Sequence, residues 1–161
     1  MTDNTLANAE TAPATQALME TLIGLEPTSG FQEMMGYRIV EWREGFAALE
    51  MDITPRHLNR AGVLHGGVAA SLLDTVCGFS GCYCPDPDRV RKAVTLSLTT
   101  QYLGQATAGT LRASSRVRGG GRKIFFCAGE VFGPDGTLIA AGEGTFRYRS
   151  GSEDSLGSPR K

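Results

Sequence analysis

Asp74 is the only charged side chain between His65 and Asp86, and it stands inside a run of apolar and small residues from Val68 to Tyr83. A carboxylate left unpaired in such surroundings is costly, so a partner or a reaction must account for it. In a reaction it would activate water as a general base or attack an electrophile itself. In a plainer role it would cap a neighbouring loop or pair with an arginine from a sheet.

Just upstream, Gly66 and Gly67 follow His65 where the apolar run begins. Glycines at a helix start let backbone N–H groups approach a ligand without an intervening Cβ. The helix dipole adds positive potential there, which suits a developing oxyanion. A loop-to-helix transition would use the same residues for flexibility alone. Gly66 and Asp74 lie eight residues apart, or roughly 12 Å along an α-helix. One small carbonyl cannot touch both. If both serve one reaction, Gly66 of one subunit must meet Asp74 of another, as an isologous dimer with two equivalent sites permits.

A third cluster, Arg116, Arg118, Arg122 and Lys123, surrounds the glycines 119–121. Its charges and exposed backbone N–H groups can hold phosphate, although a soluble hairpin turn has the same composition. It lacks the spacing of a Walker loop or a dinucleotide fingerprint.

Composition narrows the classes. A net charge of -1 leaves no global basic field, which argues against a nucleic-acid partner. Cys82 and Cys84 lack the paired spacing of a zinc site. With Cys77 and Cys127 they read as ordinary thiols, and no metal is expected. The first thirty residues lack a basic start followed by an apolar run, so a reducing, cytoplasmic location is expected. The Val68–Tyr83 run is too short and too interrupted to cross a bilayer and reads as a buried helix, without a membrane partner.

The elements that must position these groups follow from periodicity. Leu18, Leu22 and Leu25 predict a helix over 15–25 that Pro27 stops. Strands are expected over 36–43 and 46–53, joined at Glu44 and Gly45. The long helix follows from the HGG segment to about Tyr83. In the next strand Val94, Leu96, Leu98, Thr100 and Tyr102 share one face, with Thr95, Ser97, Thr99 and Gln101 on the other. Strands over 110–118, 123–132 and 137–149 complete an antiparallel meander. This order predicts one α+β domain over 15–149, an antiparallel sheet curled around a single helix. The polar segments 1–14 and 150–161 are expected to be disordered.

The segment Asn59–Asp74, NRAGVLHGGVAASLLD, resembles the signature of the hotdog-fold thioesterases, particularly the branch that includes the phenylacetate-pathway enzymes. In that branch an asparagine precedes the histidine of the HGG motif by six residues, and a helix aspartate follows that histidine by nine, as Asn59, His65 and Asp74 do here. GTLIAAGEGTFRY resembles the family's last strand, and the similarity in element order spans about residues 30–148.

The resemblance implies an acyl-coenzyme A thioesterase acting on small aromatic or medium-chain acyl groups. It implies that the Gly66 N–H polarises the thioester carbonyl, that Asn59 and His65 shape that pocket, and that Asp74 acts from the opposite subunit. Thr95 occupies the place of a hydroxyl residue that positions water or the carboxylate; otherwise it is a plain surface threonine. Gly67, Arg116, Arg118, Gly120, Gly121, Arg122 and Lys123 would bind coenzyme A. No cofactor is implied beyond the coenzyme A of the substrate, and the assembly would be a dimer paired again into a tetramer.

Three rivals differ in what they require. A serine hydrolase needs a G-x-S-x-G elbow and a downstream histidine, whereas Ser80 lies in Gly78-Phe79-Ser80-Gly81 and no histidine follows His65. A hotdog hydratase or dehydratase would pair histidine with an acid. A non-catalytic acyl-coenzyme A sensor would use the same pocket without needing Asp74. Phe79, Tyr83 and Tyr102 are either pocket walls or plain core.

Overall fold

The computed structural model describes residues 13–160. Helix α1 (Pro13–Gly24) buries Leu22, and its neighbours Leu18 and Ile23 pack against the same core. A short α2 (Gly30–Met35) follows, capped by the Ser29 hydroxyl, which accepts from the Gln32 N–H. It is too short to announce itself by periodicity. β1 (Tyr37–Arg43) and β2 (Phe46–Asp52) form the expected hairpin, and a 3-10 turn over Pro55–His57 leads towards α3 (Gly66–Gly81).

Four long strands and two short ones follow: β3 (Arg89–Val90), β4 (Ala93–Tyr102), β5 (Thr110–Gly120), β6 (Ile124–Phe132), β7 (Leu138–Tyr148) and β8 (Ser158–Pro159), with β3 and β8 the short pair. The main sheet runs β1-β2-β5-β6-β7-β4 with every neighbour antiparallel. It is the predicted α+β architecture. Helix α3 lies across one face of this sheet and buries Leu72, Leu73 and Val76 with Leu49, Met51, Leu111 and Val131, and Cys77 with Phe125, Cys127 and Phe146. Alternate residues of β5 and β6 point inward to this core, and their neighbours point outward.

Register shifts occur in four of the strand pairings, and the one in β4 bears on the site. β4 pairs with β7 in two registers separated by a bulge, so that Thr95 opposes Phe146 while Ser97 already opposes Thr145. The extra residue is Leu96, which is 52% exposed. A bulge shifts the phase of everything before it. Thr95 therefore shares the helix-facing side with Leu98 and Tyr102, whose β7 partners are Gly144 and Ala140.

Composition predicts disorder over 150–161, but residues 150–160 are held in place, and Lys161 lies outside the described residues. Ser152 is buried, with its hydroxyl accepting from the Lys92 N–H at 3.0 Å, and β8 pairs with β3. Arg89 Nε donates to the Leu156 carbonyl at 2.6 Å. The segment has little apolar surface to bury. It is held instead by arginines donating to its carbonyls, a mode that polar composition does not reveal. The expectation of disorder over 1–14 falls outside the described residues for 1–12, while Pro13 and Ala14 already belong to α1. No helix among the described residues is long and apolar enough to cross a membrane.

Candidate active site

The loop before α3 is built to present its first turn. His57 is buried, its Nδ1 accepting from the Thr54 N–H at 3.0 Å, and its carbonyl accepts from the His65 N–H at 2.8 Å. Between them, Asn59 Oδ1 accepts from the N–H groups of Ala61 and Val63, an Asx-type turn that fixes the loop tip. His65 is the N-cap of α3: its Nδ1 accepts from the Gly67 N–H at 2.9 Å, and its carbonyl accepts from Val68 N–H. The Gly66 N–H has no acceptor among the described residues.

A cavity of about 220 Å³ opens at this point, lined by Asn59, His65, Gly66, Ala69, Tyr102 and Ile139 among others. The Tyr102 ring lies so close to Gly66 that a Cβ there would meet it at 3.0 Å. Asn59, His65 and Gly66 thus converge as expected. Gly67 does not offer a donor, because His65 takes its N–H.

Asp74 projects from the middle of α3 into a separate cleft of about 380 Å³. Its Oδ1 accepts a hydrogen bond from Thr95 Oγ1 at 2.7 Å. The helix contributes Asp74, Thr75, Gly78, Phe79 and Cys82 to one wall, and Ala93, Thr95 and Phe146 come from the sheet. Neither cavity is lined by both Gly66 and Asp74, in keeping with their separation along one helix.

The basic cluster divides. Arg116 and Arg118 point from β5 to the outer face of the sheet, opposite α3, where Arg116 lies over the Phe46 ring at 4.7 Å. Gly120 and Gly121 shape the β5–β6 turn: a Cβ on Gly120 would stand 2.6 Å from the Ile124 carbonyl oxygen, and Gly121 N–H donates to that oxygen. Arg122 and Lys123 form the tip of that turn.

Two cations that sequence reading missed complete this end of the molecule. Tyr148 N–H donates to the Lys123 carbonyl and Arg149 N–H to the Lys92 carbonyl. The tip of β5–β6, the end of β7 and the start of β4 therefore lie side by side. Lys92 and Arg149 line the Asp74 cleft itself. They are far apart in the chain and carry no motif, so only strand register unites them.

All four cysteines are free and buried. The hydrogen bond with Cys127 and burial push the Cys77 thiol far up, and burial pushes Cys82 up to about 12. Neither supplies a thiolate nucleophile near neutral pH. Among the described residues, no three of His, Cys, Asp and Glu gather as metal ligands.

Comparison with known proteins decides the family. The model of the thioesterase superfamily matches residues 61–140, which include His65, Gly66 and Asp74. A relative from Archaeoglobus fulgidus is 32% identical over 114 residues, covering 70% of this chain and 71% of that protein. The chain belongs to the thioesterase superfamily. It is a thioester hydrolase with the hotdog fold. Acyl-coenzyme A thioesterase 13 of Homo sapiens is 26% identical over 134 residues, 81% of this chain and 94% of that one. Among solved structures, the PaaI protein of the E. coli phenylacetic acid degradation operon superposes with a TM-score of 0.72 over 84% of this chain and 98% of its own, at 24% identity. That likeness is one of fold. The thioesterase motif thus maps onto the two cavities that its helix separates.

Proposed function

We propose that this thioesterase hydrolyses small aromatic or medium-chain acyl-coenzyme A esters at a site completed between two copies of the chain. The observation that carries the reading is the position of the two half-sites along β4. Asp74 is tied to Thr95 near its start, and Gly66 lies under Tyr102 at its end. β4 is also the outermost strand of the sheet, with one edge free to pair. If two β4 strands pair antiparallel about a two-fold axis at Thr99, Thr95 of one comes opposite Tyr102 of the other, because the bulge at Leu96 adds one residue to that side. Asp74 then faces Gly66 of the partner subunit.

In that site the thioester oxygen accepts the Gly66 N–H, held free by the His65 cap. Thr95 occupies Oδ1 of Asp74, which leaves Oδ2 to take a proton from water as the water attacks the carbonyl carbon. The tetrahedral oxyanion is stabilised at the helix N-terminus. On its collapse the carbon–sulfur bond breaks, and the proton on Asp74 passes to the departing thiolate. Direct attack by Asp74 through a mixed anhydride would use the same groups. Arg122 and Lys123, at the tip of the β5–β6 turn, would meet the phosphates of coenzyme A; Arg116 and Arg118, on the outer face, stand outside this reading.

The reading requires no metal or other cofactor, and it includes a second pairing of dimers into a tetramer and a reducing, cytoplasmic location. Thiol release from phenylacetyl, benzoyl, hydroxybenzoyl and straight-chain acyl-coenzyme A esters tests it. Turnover that collapses in Asp74→Asn supports the mechanism. Saturable binding without release from any ester would instead make the protein a sensor.

A further inference from the structure

The Asp74 cleft has a far end that the hydrolytic reading does not use. Along α3 it passes Gly78 and Phe79 to Cys82, about 12 Å from Asp74 at the rise of an α-helix. There it meets Glu26, from the segment after α1, and Arg91. Neither is free to swing away. Arg91 donates from Nη1 to the Gly81 carbonyl and from Nε to the Ser152 carbonyl, and its guanidinium lies 4.1 Å over the Tyr148 ring.

Glu26 is held by Arg160. The Nη2 group of Arg160 pairs with Glu26 Oε1 at 2.9 Å, and the two side chains are only 20% and 19% exposed. The same guanidinium donates from Nη1 to the Leu25 carbonyl and from Nε to the Pro87 carbonyl. One side chain thus joins the end of the first helix, the loop after α3 and the C-terminal segment. Solved relatives match 75–84% of this chain but 90–99% of their own length, so part of this chain lies beyond the shared fold.

We infer that the C-terminal segment 150–160 is a clasp that closes the far end of the acyl cleft, through Arg160 on Glu26 and Ser152 on Arg91, and thereby limits acyl length. The inference rests on the thioesterase reading of the Asp74 cleft and adds its specificity device. A wall at that depth admits a short chain or a single ring and rejects a long chain, which must displace a shielded, paired carboxylate to pass.

The test is the ratio of kcat/KM for dodecanoyl- over butyryl-coenzyme A, measured on the full chain as wild type, Arg160→Met, Arg160→Lys and Glu26→Ala. Opening the wall is expected to raise the ratio at least about tenfold in Arg160→Met, the scale of discrimination by a hydrophobic pocket. Arg160→Lys should stay nearer wild type. Glu26→Ala, which removes the acceptor of Arg160 Nη2 and leaves the other bonds of the segment in place, gives the same reading if Arg160→Met does not fold. A loss of activity shared equally by both esters, or an unchanged ratio in folded variants, overturns the clasp while leaving the hydrolase intact. Absence of turnover by wild type on every ester overturns the hydrolytic reading and the clasp with it.

Discussion

Thr95 Oγ1 stands 2.7 Å from Asp74 Oδ1, joining the edge strand of the sheet to the middle of the helix it covers. The bond fixes one carboxylate oxygen and leaves the other facing the cleft. Replacing the hydroxyl by a methyl group in Thr95→Val should lower kcat about tenfold with little change in KM, the scale of one hydrogen bond to a charged group. Steady-state kinetics on the best ester decide this, and an unchanged kcat would reduce Thr95 to a packing residue.

Removal of the proposed base should have a larger effect. Asp74→Asn keeps the size of the side chain and can still accept from Thr95, so the fold should persist while kcat falls at least about 100-fold. Wild-type-like turnover by a folded variant would exclude Asp74 as the base.

The Gly66 N–H can be deleted with the helix left in place. Gly66 is the first helical residue, where proline is favoured, and His65 before it already has the extended backbone that proline demands, with ψ at 133°. Because the Tyr102 ring blocks a Cβ there, the comparison needs a Tyr102→Ala background. Gly66→Pro should then lose about 100- to 1,000-fold in kcat against Gly66→Ala in the same background. Equal rates would mean that this N–H does not bind the oxyanion.

A shared site predicts rescue between two inactive proteins. When Asp74→Asn is unfolded and refolded with the Gly66→Pro/Tyr102→Ala variant, half the mixed dimers' sites carry every lesion and half carry none. Activity should return to roughly a quarter of wild type, the statistical result for an isologous pair. No recovery, with mixed dimers shown by mass spectrometry, would place both groups in one subunit.

Burial, helped by the neighbouring Arg56 charge, lowers the His57 pKa below its ordinary value of 6.5. The unfolded chain therefore takes up a proton at a pH where the native chain does not. The stability due to neutral His57 is complete above the unfolded pKa and is lost as pH falls from there towards the native one. Tm should drop between about pH 7 and pH 5, and His57→Asn, which can still accept from the Thr54 N–H, should flatten that drop. An equal drop in both proteins would assign it to other groups.

Much of this was legible in the chain. The spacing of Asn59, His65, Gly66 and Asp74 carries the family, and it supplies the residues of the two proposed half-sites, since a glycine-opened helix and a lone carboxylate within it are local features. Thr95 was legible as a residue type but not as a direction. Strict alternation turns it away from α3, and nothing in Val94-Thr95-Leu96-Ser97 marks the bulge that turns it back. The basic run was visible as charge, yet period-two geometry sends Arg116 and Arg118 to one face and leaves Lys92 and Arg149, unremarkable in sequence, beside Asp74. The tail was misread because its order comes from single arginines on carbonyls, contacts whose partners lie far away in the chain.

The pairing of Arg160 with Glu26 spans 134 positions, almost the whole described chain. Contacts of such separation form late, after the loop they close has been shortened by other structure. On a ribosome the order is stricter still. Glu26, α3 and the residues of both proposed half-sites are made before residue 160 is joined to the chain, so the groups assigned to the chemistry precede the clasp assigned to its selectivity. Choice of acyl length would then be imposed on a cleft whose walls already exist.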